Sequence, residues 1–200
     1  MAAVLTRVLD AVFGHPRGLV GRLGGALMAR GNVEQERWAV QHAGLHPEEH
    51  VLVVGPGPGV GLALAAEAVG PDGLVVGVDP STTMREMAAA RCAAQIAAGR
   101  VQIRPGRAER TECQDASMDA VISVNNVMLW DRPTGFRELL RVLRPGGRLV
   151  ITVHRHVLGV PPQQVVSDAV AAGFVEPELT LRKRRANSDA VQLLLRRPAP

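Results

Sequence analysis

Aromatic residues are scarce in this sequence. Its 200 residues include three Phe, two Trp and no Tyr. Hydrophobic residues still make up 46% of the chain, so a packed core has to rest on Val, Leu and Ala. The lack of tyrosine also excludes a phenol as a catalytic base.

Cysteine and lysine are nearly absent too. Cys92 and Cys113 form no CxxC pair and no metal-ligand spacing, so we expect no metal and two reduced, buried thiols in a cytoplasmic protein. The sequence has no apolar run of about eighteen residues, so we expect no membrane span. The bias toward Ala, Arg and Gly is typical of a bacterial gene of high GC content.

Arginine carries almost all of the basic charge, because Lys183 is the only lysine. The net charge is +4, and the main basic cluster is RKRR at 182–185. Such a cluster can contact nucleic acid, or it can be a solvated turn before a last strand. The lack of stacking aromatics near it favours the turn, so we expect no nucleic-acid partner.

Two hundred residues fit one compact domain. We expect residues 1–45 to form a helical cap, with a helix over 1–13, a broken loop over 14–25 and a helix from Val33 to Ala43. Asn32 is the predicted N-cap of that last helix. Residues 46–200 are the predicted core.

The most informative segment is VLVVGPGPGVG, from Val51 to Gly61. An apolar run that ends in glycines predicts a buried strand entering a tight turn, and the following LALAAEAV predicts a helix. The start of a helix after such a turn suits an anionic or dipolar small molecule. The turn lacks the third glycine of a dinucleotide fingerprint, where Val60 stands, and the lysine of a P-loop.

Strands and helices alternate through the rest of the core. This order predicts an α/β fold, a Rossmann-like, seven-stranded and mostly parallel sheet with helices on both faces and an antiparallel last strand. The predicted strands are 51–54, 74–78, 101–104, 120–124, 148–153, 174–181 and 190–196, and the predicted helices of the core are 60–69, 82–98, 134–142 and 162–172.

Asp79 ends the second predicted strand, 24 residues after Gly55. An acid at this point can accept hydrogen bonds from both ribose hydroxyls of an adenosine. The alternative is an N-cap-like role for the next helix. The glycine turn nearby favours the ribose.

Five motifs in this order resemble the class I S-adenosylmethionine (SAM)-dependent methyltransferases of the small UbiE-like, or type 11, kind. The resemblance covers about Val51 to Ile151. It rests on VLVVGPGPG, VVGVDPSTTM, GRAER, DAVISVNNVMLW and RVLRPGGRLVI, with AAGF following at 171–174.

The resemblance implies a role for each matching position in binding SAM, whose product is S-adenosylhomocysteine. The glycine turn would pass under the methionine part, Asp79 would hold the ribose, and the following residues would flank the adenine and the sulfonium. The implied cofactor-binding residues are Gly55, Pro56, Gly57, Gly59, Asp79, Pro80, Met84, Arg107, Ala108, Glu109, Asn125 and Asn126.

Three positions depart from the family pattern. Val53 and Arg107 stand where the family often has an acid, and Met128 stands where it often has His. The first two departures remove negative charge from the pocket of a cationic cofactor. Three outcomes are open: cofactor binding is weaker than usual in the family, Glu109 and the two asparagines compensate, or the chain is a lapsed protein of the same fold that acts through binding or a partner.

The resemblance implies methyl transfer, which proceeds by in-line displacement. The apolar set Met28, Met128, Leu129 and Trp130 indicates a small, apolar organic acceptor that is methylated on O, N or C, and we expect a monomer or homodimer. His154 and His156 are candidate bases. The alternative is that both are exposed loop histidines, and Trp130 could instead belong to the core.

An RNA methyltransferase, argued from the basic cluster, stays open. A NAD-dependent oxidoreductase is disfavoured by Val60 and by the absence of a Tyr-Lys pair. The candidate substrate-binding residues are Met28, Asn32, Met128 and Trp130, and His15 and Trp38 share the predicted cap.

Overall fold

The computed structural model describes residues 18–183 and 188–200, with side chains from Gly31 onward. Its described strands form one sheet in the order β3-β2-β1-β4-β5-β7-β6, in which β7 runs antiparallel to the other six. The predicted fold class is therefore confirmed. The strands are β1 His50–Val54, β2 Leu74–Val78, β3 Val101–Arg104, β4 Met118–Val124, β5 Leu143–His154, β6 Val175–Arg182 and β7 Ala190–Arg196.

The helices follow the predicted order, with one interruption. The predicted helix 82–98 breaks at Cys92, which is fully buried and has a non-helical φ of −99°. The helices are α1 Gly18–Ala43, α2 Val60–Ala68, α3 Thr82–Arg91, α4 Ala93–Ala97, α5 Arg132–Val142 and α6 Pro162–Ala171, and short 3-10 turns occupy Val127–Leu129 and Arg155–Val157.

The N-terminal prediction needs correction. One continuous helix, α1, runs from Gly18 to Ala43, so the predicted loop is wrong over residues 18–25 and Asn32 is no N-cap. Glycine lowers helix propensity by only about 1 kcal/mol per residue, and the buried contacts of Ala39 and Ala43 hold the C-terminal half of this helix in place. The predicted helix over 1–13 and His15 lie outside the described residues.

The sheet separates two apolar layers. One layer joins alternate strand residues such as Val53 to α1, α2 and α3 through Ala39, Leu62 and Ala88. The other joins Leu52 and its counterparts to α5 and α6. Val, Leu and Ala dominate both layers, as the composition predicts. None of the described helices is both long and apolar enough to cross a membrane.

Parallel strands bring their carboxyl ends to one edge of this sheet. The turn after β1, Asp79 after β2 and Asn125 after β4 all lie at that edge. Asn32 of α1 contacts the ring of His154, which ends β5, so this part of α1 also reaches the same edge. Functional groups from four elements are thus collected in one place.

Candidate active site

The turn between β1 and α2 depends on glycine at three positions. Gly55, Gly57 and Gly59 have φ of 63°, 50° and 85°, in the left-handed region. A Cβ at Gly59 would lie 2.8 Å from the Cα of Ala88, so that glycine lets α3 pack against the turn. At Gly57 no described atom lies within 4 Å of a Cβ. The backbone at Gly57 is therefore bare and open to a ligand.

Asn126 lies over the first glycine of the turn. Its Nδ2 donates to the carbonyl of Val54 at 3.2 Å, and its Oδ1 accepts from Nε1 of Trp130. The indole of Trp130 in turn packs edge-on against Phe136, with ring centroids 5.9 Å apart. This chain of contacts fixes the position of Asn126 beside the glycine turn.

Asp79 is buried where β2 ends. Its Oδ1 accepts from the backbone N–H of Ser81 at 2.8 Å. The N-cap of α3 is Ser81, whose hydroxyl accepts from the N–H of Met84 at 3.3 Å. The guanidinium of Arg85 donates to the carbonyls of Asp79 and Pro80 at 2.8 and 3.0 Å. The loop that carries the carboxylate is thus braced, with Met84 buried and Pro80 exposed beside it.

The loop after β3 places Ala108 inside and its neighbours outside. The backbones of Arg107 and Arg110 pair at 3.1 and 3.0 Å, which closes a tight turn. Ala108 at its tip is buried, while Arg107 is exposed. Glu109 accepts from the N–H of Asp131 at 2.7 Å, so its carboxylate holds the start of α5.

Asn125 connects three elements. Its Nδ2 donates to Oε1 of Gln35 on α1 at 2.7 Å, and its Oδ1 accepts from the N–H of His154 on β5 at 2.9 Å. The ring nitrogen Nε2 of His154 lies 3.3 Å from Oδ1 of Asn32. A φ of 52° at Asn125 is a conformation that asparagine tolerates better than most residues. The side-chain amide of Asn125 therefore joins α1 to β4 and β5.

The remaining predicted residues lie around this edge. His156 is exposed, contacts Ser188 and has its ring centroid 5.4 Å from that of His154. Met128 and Trp130 are partly buried against the α5 layer. Met28 lies in α1, and its side chain is outside the described part of the structure.

The sequence missed Gln35 and Glu36. Gln35 is fully buried and holds Asn125, as described above. Oε2 of Glu36 lies against Gly61, so closely that a Cβ at Gly61 would overlap it. Burial raises the pKa of Glu36 to about 8. A glycine inside the first turn of a helix is a sequence signal for such a contact, but it does not identify the partner.

Residues 51–147 match the family model described as a methyltransferase domain. Over this segment the chain carries a methyltransferase domain. The segment matched contains the glycine turn, Asp79 and both site asparagines, which the fold brings to one edge.

Two relatives show how far the likeness extends. The "Uncharacterized methyltransferase YdaC" of Bacillus subtilis is 28% identical over 80% of this chain and 90% of its own length. The "Ubiquinone/menaquinone biosynthesis C-methyltransferase UbiE" of Geotalea daltonii is 35% identical over 58% of this chain and 49% of its own. The chain thus spans about half the length of the UbiE relative.

Solved structures share the fold. Phosphoethanolamine N-methyltransferase 2 of Haemonchus contortus, in complex with SAM, superposes with a TM-score of 0.71 at 20% identity. The match covers 82% of this chain and 52% of that one. At this identity the similarity shows the fold alone.

Proposed function

We propose that this chain transfers a methyl group from SAM to a small, apolar organic acceptor and releases S-adenosylhomocysteine. The cofactor is S-adenosylmethionine, whose sulfonium supplies an activated methyl group when bound. The residues of the chain bind the cofactor, align the acceptor with it and exclude water.

The single observation that carries this proposal is the position of Asp79. Its buried carboxylate ends β2, beside the turn whose backbone is open at Gly57. A carboxylate suits the two hydroxyls of a ribose, and bare backbone suits an extended amino-acid tail. Buried Met84 and Ala108 offer apolar contacts for a base nearby. The residues present therefore fit an adenosine joined to an amino acid.

The proposal of an apolar acceptor rests on apolar side chains that are exposed or only partly buried. Leu129 is 54% exposed, and the neighbouring Met128 and Trp130 are only partly buried. These three side chains follow β4 at the carboxyl edge of the sheet. An apolar lining favours an apolar acceptor, consistent with the quinone pathways printed in the name of the UbiE relative.

Most of the proposed catalysis comes from positioning the acceptor against the methyl group of the cofactor. The ring of His154 contacts Asn32, and its backbone N–H is held by Asn125. This arrangement fixes the ring at the edge of the cleft, where it is a candidate base for an acceptor that arrives protonated. An acceptor that is already nucleophilic needs no base.

Titration calorimetry with S-adenosylhomocysteine tests the cofactor site. We expect Asp79→Asn to weaken binding about 10- to 100-fold, because hydrogen bonds to a charged acceptor are lost. Asp72→Asn is the matched control, since Asp72 lies in an exposed turn after α2. Equal affinity in wild type and Asp79→Asn would contradict the proposed role.

Formation of S-adenosylhomocysteine during incubation with SAM tests the acceptor. A reduced naphthoquinone and a simple naphthol are suitable apolar probes, and bulk tRNA is the competing one. Turnover with tRNA alone would favour the RNA alternative, and cofactor binding without turnover on any probe would favour a lapsed enzyme. Arg182 of the basic cluster stacks on Trp38 within the protein, with its guanidinium carbon 3.9 Å from the ring centroid, so this arginine already has a partner.

The location in the cell also stays a prediction. Cys92 and Cys113 are free and buried, as expected. We propose a cytoplasmic bacterial enzyme, acting as a monomer or homodimer. Sedimentation of the purified protein distinguishes these two states.

A further inference from the structure

We propose that Glu36 on α1 supplies the carboxylate that binds the ammonium group of the cofactor, in place of the strand acid that is Val53 in this chain. This inference rests on the proposed function. It assigns to the cofactor site a residue outside the segment that matches the methyltransferase domain.

The packing of α1 puts Glu36 on the correct side of the sheet. Val53 and Ala39 belong to the same buried layer, between β1 and the helices. Arg148, in the middle of β5, donates to the carbonyl of Gly44 just past the end of α1, whereas Asn32 contacts His154 where β5 ends. Glu36 lies between these two anchors. It is therefore displaced from Ala39 toward the carboxyl edge, on the face to which Val53 points.

The carboxyl group of Glu36 adjoins the glycine turn itself. Gly61 follows Gly59 by two residues and lies in the first turn of α2. A Cβ at Gly61 would overlap Oε2 of Glu36 and lie 3.2 Å from its Cδ. Glycine at this position therefore makes room for the acid. The carboxyl group is held beside the backbone that we assign to the amino-acid part of the cofactor.

Glu36 has no hydrogen-bond or ion-pair partner among the described residues, and burial alone shifts its pKa. The groups that the sequence offered as compensation are already used. Glu109 holds the N–H of Asp131, and the amides of Asn125 and Asn126 hold backbone and side-chain partners. Glu36 is thus an acid at this edge that, among the described residues, is still available to a cation.

The charged side chains near Glu36 do not pair with it, so binding of a cationic ligand can change its protonation state. Glu34 and Arg37 on α1 are exposed, Glu67 lies near the far end of α2, and Arg91 of α3 donates to the carbonyl of Pro58. With a pKa of about 8, Glu36 is mostly protonated near pH 7 in the free protein. An ammonium ligand favours the carboxylate, so binding should release that proton to the buffer.

Calorimetry with two ligands isolates this contact. S-adenosylhomocysteine carries the ammonium group, whereas 5′-methylthioadenosine lacks the whole amino-acid end. We expect Glu36→Gln to weaken binding of the first ligand about tenfold or more and to leave binding of the second unchanged. In wild type, titrations near pH 7 in buffers of different ionisation enthalpy should show proton release, which Glu36→Gln abolishes.

Two further variants separate position from general damage. Gly61→Ala keeps an ordinary helical backbone but displaces the Glu36 carboxyl group, so it should reproduce the selective loss. Glu34 is exposed on the same helix, so Glu34→Gln should change the affinity for neither ligand. Unchanged binding of S-adenosylhomocysteine in Glu36→Gln, or an equal loss for both ligands, overturns the inference alone. Failure of wild type to bind either ligand overturns the proposed function, and this inference with it.

Discussion

The amide of Asn126 occupies the space directly over Gly55. A Cβ at position 55 would overlap Nδ2 of Asn126 and lie 2.7 Å from its Cγ. The same amide donates a hydrogen bond to the carbonyl of Val54 and accepts one from the indole of Trp130, so it cannot move without breaking these hydrogen bonds. Gly55 is therefore required by the position of the Asn126 amide as well as by its own backbone conformation.

Gly55→Ala should destabilise the protein by about 2–4 kcal/mol. The substitution adds left-handed backbone strain to the clash with Asn126. Urea unfolding measures the effect. Gly57→Ala shares a positive φ but has open space, so it should cost only about 1–2 kcal/mol. Equal losses in the two variants would show that Asn126 adds nothing.

Gly57→Ala should nevertheless impair the cofactor site more than its stability suggests. A methyl group at this position projects into the open space that we assign to the cofactor, so affinity for S-adenosylhomocysteine should fall about tenfold or more. Gly70→Ala is the control, because it has a φ of 73° and open space in the turn after α2. A comparable loss of affinity in Gly70→Ala would point to backbone strain instead.

The ion pair of Glu49 with Arg148 should stabilise the protein above acidic pH. The carboxylate accepts from Nη1 and Nη2 of Arg148 at 2.9 and 2.7 Å. Burial would raise the pKa of Glu49, but Arg148 and the N–H of His46 outweigh it and lower the pKa. The stabilisation is therefore present above the ordinary pKa of a glutamate and is lost as the pH falls through the lowered value.

Glu49→Gln should cost about 2 kcal/mol near pH 7, and the loss should shrink in acid. Urea unfolding over a pH series measures both effects. Glu48→Gln changes an exposed neighbour and should be close to neutral. A loss at Glu49 that is independent of pH would contradict the assignment.

Glu36 should have the opposite pH dependence in the free protein. Its raised pKa means that the folded state keeps a proton that the unfolded chain loses above about 4.5. The contribution of Glu36 to stability is complete below that pH and is lost as the pH rises to about 8. The free energy of unfolding of Glu36→Gln should rise relative to that of wild type by about 3–4 kcal/mol between pH 5 and pH 8.

Urea unfolding at those two pH values checks the sign, with Glu34→Gln as the control. A constant difference between Glu36→Gln and wild type would mean that the carboxyl group stays solvated. The expected cost at high pH is typical of a group retained for binding at the expense of stability.

Local patterns predicted the sheet and the turn. The apolar run that ends at Gly55, and the placement of Asp79, depend on neighbours within a few residues, so the sequence is sufficient for them. The extent of α1 depends on tertiary contacts of residues such as Ala39, which override the glycines that favoured a loop. Propensity alone does not contain that information.

The contacts of Gln35 and Glu36 were beyond the sequence for a similar reason. Gln35 meets Asn125 across 90 positions of the chain, and no spacing rule connects them. Asn125 was correctly placed at the edge, but its amide joins elements together. Whether it also touches the cofactor stays a prediction.

The most direct measurement is a crystal structure of this protein with S-adenosylhomocysteine. We predict that the Asp79 carboxylate lies about 2.5–3.0 Å from the ribose hydroxyls, with the amino-acid tail over Gly57. A cleft that stays empty at saturating ligand, or a ligand whose ribose lies away from Asp79, would contradict the proposed function.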